Sequence, residues 1–241
     1  MYGMYGYGYG YGFDPTIILV LIGVALSLWA QGRVNSTFSR YSRVRSMTGM
    51  TGAEAARRLL NAQGIYDVTV QQIAGELTDH YDPRTKTVNL SQSVYGATSV
   101  AAIGVAAHEC GHAMQDNEGY APLRFRSALV PVANFGSSLS WPLILLGLVF
   151  GGLGSPLVEI GILMFSLAVL FQLVTLPVEY NASARAVRLL DAQGILAGEE
   201  VNGTRKVLNA AALTYVAAAA TSILQLLRLI ILFGGRNRRD R

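Results

Sequence analysis

Residues 127–158 read SALVPVANFGSSLSWPLILLGLVFGGLGSPLV, thirty-two consecutive positions without an ionisable side chain. A bilayer core takes about 20 apolar residues per helix, so this stretch is too long for one span. Its first part is punctuated by Pro131, Asn134 and Gly136. It therefore predicts a linker over residues 127–138, a span centred on residues 140–149, and a turn in GGLGSP. Working outward, further charge-free gaps cover residues 15–32 (18 positions), 160–178 (19) and 207–227 (21). Together they predict an anchor near the N-terminus, a hairpin in the middle and a hydrophobic helix near the C-terminus.

Composition agrees with that reading. Only 14% of the 241 residues are charged, against about 25% in an average soluble domain, and 51% are hydrophobic. Intrinsic disorder of the whole chain is excluded, because disorder needs high charge and low hydrophobicity. The net charge is +4, but the basic residues are scattered among apolar runs, with no motif that reads nucleic acid. The one cysteine, Cys110, excludes an intramolecular disulfide. It reads as a small packing residue.

The expected organisation is a Tyr/Gly-rich tail at residues 1–14, a transmembrane anchor at 15–32 and a soluble part at 33–126. Then come the linker and hairpin at 127–178, a helix at 179–206, a hydrophobic helix at 207–235 and a basic tail at 236–241. The N-terminal tail lacks Lys and Arg and no small-x-small site follows the apolar run, so the anchor reads as uncleaved. Ten Lys and Arg fall between the first and second spans and four more between the third and fourth. That excess puts the soluble part on the cytoplasmic side. The RNRRDR tail opposes this if the last helix crosses.

Within the soluble part, Thr51 and Glu54 form a capping box for a helix that Gly64 ends. VTVQQI, LTDHY and KTVNLS alternate as two or three short strands, and from Thr98 the pattern turns helical. Residues 56–65 (ARRLLNAQGI) and 186–195 (AVRLLDAQGI) match at eight of ten positions. Two helices with the same glycine stop account for that echo better than a duplication does.

The chemistry concentrates in His108-Glu109-Cys110-Gly111-His112. On a helix, residues four apart share a face, so both imidazoles can hold one ion. Glu109, about 100° further round, is placed to act as general base on water and then to protonate the leaving amine. A zinc site needs a third ligand. Asp116 and Glu118 follow too closely to wrap back, and Glu159 lies at the far end of the hairpin. Glu179 returns to the side of His108 after two crossings and opens the helical run EYNASARAVRLLDAQG. The competing reading for Glu179 is a helix N-terminal carboxylate favoured by the macrodipole.

TGAEAARRLL, LTDHYDPRTKTVNLS, VAAHECGHAMQ, GYAPLRFRSALVPVANFG and LPVEYNASARA together resemble the neutral zinc metallopeptidase family of bacterial membrane proteins (the YugP type). A more distant likeness runs to the HtpX-like and Ste24-like membrane proteases. The resemblance implies a mainly α fold with a small β element, a multi-pass protein of the bacterial inner membrane, and one zinc ion. That ion would sit on His108, His112 and Glu179, with Glu109 as general base and acid. It also implies a peptide or protein substrate. The HtpX-like pattern has an acidic residue four positions after the third ligand, supporting a zinc histidine. Here that position is Ser183, which leaves Ser183 and Asn181 as candidates for the support. The order of elements that the resemblance implies puts Thr87, Val88, Asn89 and Leu90 on an edge strand where a substrate backbone could add. His80 and Tyr81 are candidates to stabilise the oxyanion.

Two other functions fit parts of the pattern. A zinc-binding membrane scaffold or chaperone-like protein would keep the ligands without turnover, although it has no need of Glu109. A di-iron carboxylate bundle needs a second Glu-x-x-His, and Leu77 stands three residues before His80.

Overall fold

The computed structural model describes residues 14–152 and 155–234, so the expected basic tail and nearly all of the Tyr/Gly tail lie outside the described residues. The fold is mainly helical with one three-stranded sheet. The helices are α1 (Ile17–Ser42), α2 (Gly52–Ala62), α3 (Gln92–Tyr95), α4 (Val100–Asn117), α5 (Ala121–Gly151), α6 (Pro156–Ala192) and α7 (Glu199–Phe233). The strands are β1 (Thr69–Ile73), β2 (His80–Asp82) and β3 (Thr87–Ser91). Among the described residues, four helices, α1, α5, α6 and α7, are long and apolar enough to cross a membrane. Large side chains such as Leu28, Phe135, Leu145, Val149 and Phe150 stand exposed on α1 and α5, as a bilayer solvent permits.

Helix boundaries do not follow the charge gaps. Residues 127–138 are helical, not a linker: α5 runs through Pro131 and Pro142. A proline removes a single ladder bond, and an apolar surrounding makes the remaining bonds obligatory. Gly136 is a contact point, not a breaker, because a Cβ there would lie 2.7 Å from the carbonyl oxygen of Met164 on α6. Likewise, Glu179 does not open a helix. It sits inside α6, which emerges from the apolar stretch and continues to Ala192. That removes the macrodipole reading of Glu179. The run expected as one helix over residues 179–206 breaks at Gln193 and restarts at Glu199.

α7 lies antiparallel against α1. Thr221 packs on Gly23, Gly203 on Tyr41, and Arg228 reaches Thr16 and Asp14. The last helix thus accompanies the first along its whole apolar length.

The water-side core forms around α2, α4, the sheet and the end of α6. The Thr51/Glu54 capping box is present: Thr51 Oγ1 accepts from the Glu54 N–H, and the Glu54 carboxylate accepts from the Thr51 N–H. The sequence echo is a shared helix stop. Ile65 N–H donates to Leu60 O and Gly64 N–H to Asn61 O, while Ile195 donates to Leu190 and Gly194 to Asp191. Gly64 and Gly194 both have positive φ. Each set is the Schellman closure, with a buried isoleucine sealing it. The two ends also meet, since the Arg58 guanidinium donates to Gln193 O.

The sheet order is β1-β3-β2, with β1 parallel and β2 antiparallel to β3. The strand carrying Thr87, Val88, Asn89 and Leu90 is therefore central, and all its residues are buried. It offers no edge to a substrate. Strand alternation reports which face is apolar but not which neighbour pairs, and the edge next to α4 belongs to β2.

Candidate metal centre

α4 is built from small residues so that it can sit deep. Ser99 caps it by accepting from the Ala102 N–H, and fourteen of its residues are buried. At Gly111 its backbone approaches the α6 backbone directly: a Cβ there would fall 2.6 Å from Ala182 O. This approach brings the α4 histidines to Glu179.

His108, His112 and Glu179 present ligand atoms that all lie within 4.8 Å of one another. His108 Nε2 is 3.2 Å and His112 Nε2 3.5 Å from Glu179 Oε2. The two imidazoles stand nearly perpendicular, at 84° with centroids 4.8 Å apart. Among the described residues this is the one such group of His, Cys, Asp and Glu. Two imidazoles and one carboxylate are the donor set of a catalytic zinc site with an open position, and the residues fit that ion. The surroundings favour a cation: burial disfavours protonation of His112, yet Glu179, Glu109 and Gln115 outweigh it and raise its pKa above the ordinary imidazole value. Glu109, adjacent to His108, is buried and lines the same cleft.

Each histidine is held from behind. Ser183 Oγ lies 3.1 Å from His108 Nδ1, so the position that departs from the HtpX-like pattern still touches the imidazole. His112 Nδ1 is 3.0 Å from Gln115 Oε1. Gln115 in turn donates to Val178 O and to Asn181 Oδ1, both at 2.9 Å. Arg185 Nε donates to that Asn181 oxygen at 2.7 Å and its guanidinium pairs with Glu118 at 2.6 Å. Asn181 thus reaches His112 through Gln115. Such partners set the tautomer and direction of a ligating imidazole. Gln115 was legible in principle, since it follows His112 by three residues on the same helical face.

The cleft beside these residues has a volume of about 620 Å³, and a second cavity of about 270 Å³ shares His108, Glu109 and Glu179 with it. His80 and Tyr81 line the larger one, but their polar atoms are committed elsewhere. His80 Nδ1 lies 2.9 Å from Thr78 O and Nε2 3.2 Å from Asn89 Nδ2. The Tyr81 hydroxyl donates to Asp116 Oδ2 at 2.8 Å; burial and that carboxylate raise the pKa of its phenol. Two residues without any sequence signal face the site instead. Arg126, at the start of α5, is 3.6 Å from Glu179 Oε1, and its buried Nε has no hydrogen-bond partner among the described residues. Tyr215 on α7 lines both cavities. Cys110 points the other way, fully buried, with Sγ 3.6 Å from Ala56 O.

The family described as "Putative neutral zinc metallopeptidase" matches residues 16–234. The chain is 49% identical over 217 residues to "Putative membrane protease YugP" of Bacillus subtilis (strain 168), covering 90% of this chain and 96% of that protein. No solved structure matches it.

Proposed function

This chain belongs to the neutral zinc metallopeptidase family, and from that premise we propose that it is a membrane-embedded, zinc-dependent endopeptidase. The observation that carries the reading is the convergence of His108, His112 and Glu179 beside Glu109 in one cleft. The three residues would hold the ion. Zinc, when bound, supplies a Lewis acid that polarises a carbonyl and makes water acidic near neutral pH.

The chain's own groups supply the rest. Glu109 removes a proton from the attacking water and delivers it to the amine of the broken peptide bond. Ser183 and the Gln115–Asn181 pair keep the imidazoles oriented. With His80 and Tyr81 engaged elsewhere, Arg126 is the better candidate to donate to the developing oxyanion, since its guanidinium lines the cleft with Nη2 3.6 Å from Glu179 Oε1. A substrate backbone adds to the outer edge of β2, whose His80 and Tyr81 border the cleft, and its ladder bonds read extended chain over sequence. Unfolded or membrane-associated polypeptides fit such a site. By the distribution of Lys and Arg, the site faces the cytoplasm of a bacterial cell whose inner membrane the four helices cross.

The test is proteolysis of an unfolded substrate such as casein by the detergent-purified chain. Glu109→Gln is expected to abolish cleavage while retaining one zinc per chain, and chelation is expected to abolish it reversibly. Full turnover by Glu109→Gln overturns the mechanism. Zinc binding without any turnover by the wild type returns the scaffold reading.

A further inference from the structure

A cleft of about 670 Å³, separate from the metal centre, lies where α1, α6 and α7 meet. Arg33 and Arg40 enter it from α1 and Lys206 from α7, with Tyr41 and Tyr180 at its sides. None of its lining residues is acidic, and among the described residues none of the three cations is ion-paired. Three like charges converging on one concavity repel one another unless an anion sits between them.

The depth of the cleft says which anion. Arg33 directly follows the charge-free stretch of residues 15–32 and Lys206 directly precedes that of residues 207–227, so these two cations stand where the apolar parts of α1 and α7 end, with Arg40 about two turns further along α1. Tyr180, two positions past the charge-free stretch of residues 160–178, is the kind of residue a membrane–water boundary selects. Toward the bilayer the lining turns apolar with Ala210 and Leu213. The same faces then continue with Val216 one turn along α7 and Trp29 one turn along α1, both exposed. A basic end opening onto an apolar track matches a charged headgroup with acyl chains behind it.

We propose that this cleft binds the phosphate of an anionic phospholipid headgroup. Arginine presents parallel N–H donors to phosphate oxygens and lysine a point charge, and basic pockets between transmembrane helices bind such headgroups. Tyr180 adjoins Glu179 in sequence, so the headgroup sits against the outer side of the segment that carries the third candidate ligand.

The test reads binding, not proteolysis, so its outcome is independent of the catalytic reading. The full chain in neutral detergent is unfolded thermally while dioctanoyl phosphatidylglycerol, dioctanoyl phosphatidylcholine or inorganic phosphate is titrated in. A saturable rise in Tm is expected for the anionic lipid alone. The Arg33→Gln/Lys206→Gln double variant is expected to need at least about tenfold more of it, from the loss of two charge-assisted contacts. Arg43→Gln removes the same kind of charge outside the cleft and is expected to titrate like wild type. Arg40→Gln alone serves if the double variant does not fold. An equal response to the zwitterionic lipid overturns the proposal, as does wild-type titration by the cleft variants. An equal response to inorganic phosphate overturns the lipid as the source, and equal weakening by Arg43→Gln reduces the effect to diffuse charge.

Discussion

Ser183 Oγ lies 3.1 Å from Nδ1 of His108, one helical turn beyond Glu179 on the same face of α6. One helix therefore carries both a candidate ligand and the group that orients another. A hydroxyl can fix the imidazole without adding a second buried negative charge behind it. Ser183→Ala is expected to lower zinc affinity about 10- to 100-fold, the usual effect of losing such a partner, with little change in Tm. Competition against a fluorescent chelator measures this, and an unchanged affinity would show that Ser183 does not orient His108.

Gly111 is the second point of vulnerability. Alanine favours a helix over glycine by about 1 kcal/mol, but here its Cβ would meet backbone at 2.6 Å, which no side-chain rotation relieves. Overpacking of this kind costs about 1–3 kcal/mol, so the clash outweighs the propensity gain. Gly111→Ala is expected to lower both Tm and zinc content, because separating α4 from α6 pulls the histidines away from Glu179. A variant with full zinc occupancy and higher Tm would contradict the contact.

For Arg126, truncation is expected to separate binding from chemistry. Arg126→Gln should keep stoichiometric zinc and lose about 10²–10³ in kcat, the range for removing one oxyanion donor. Lysine lacks the fork and should not restore it. If zinc content falls together with rate, Arg126 serves the ligand Glu179 and not the substrate.

Cys110 gives a chemical probe of the intact fold. Burial pushes its thiol pKa up, with Glu109 adding to the effect, and the thiolate is the reactive form. Maleimide at neutral pH is expected to leave the native chain unlabelled and to label the denatured chain fully. Rapid labelling of native protein would mean that α4 does not pack on α2 as described.

Several of these relationships were readable from residue order. The His108/His112 pair follows from a four-residue spacing on a helix, and Glu179 from two crossings that return the chain to the same side. Others were not. Pro131, Asn134 and Gly136 look like breakers because in water they are; within an apolar helix pair, Gly136 is where α5 approaches α6. The exchange of edge and centre between β2 and β3 was hidden because pairing order leaves no trace in alternation. Arg126 and Tyr215 reach the site from helices whose packing only the assembled fold reveals.

α6 carries one more consequence. Glu159 and Glu179 bracket a charge-free stretch of nineteen residues on a single unbroken helix. At 1.5 Å per residue they stand about 30 Å apart, the thickness of a hydrocarbon core. The helix is therefore a ruler: with one carboxylate at each boundary, it holds the proposed cutting point at a constant height above the lipid. If the proposed endopeptidase reading holds, a protein anchored in the same bilayer would meet the site at a distance counted from its own membrane exit.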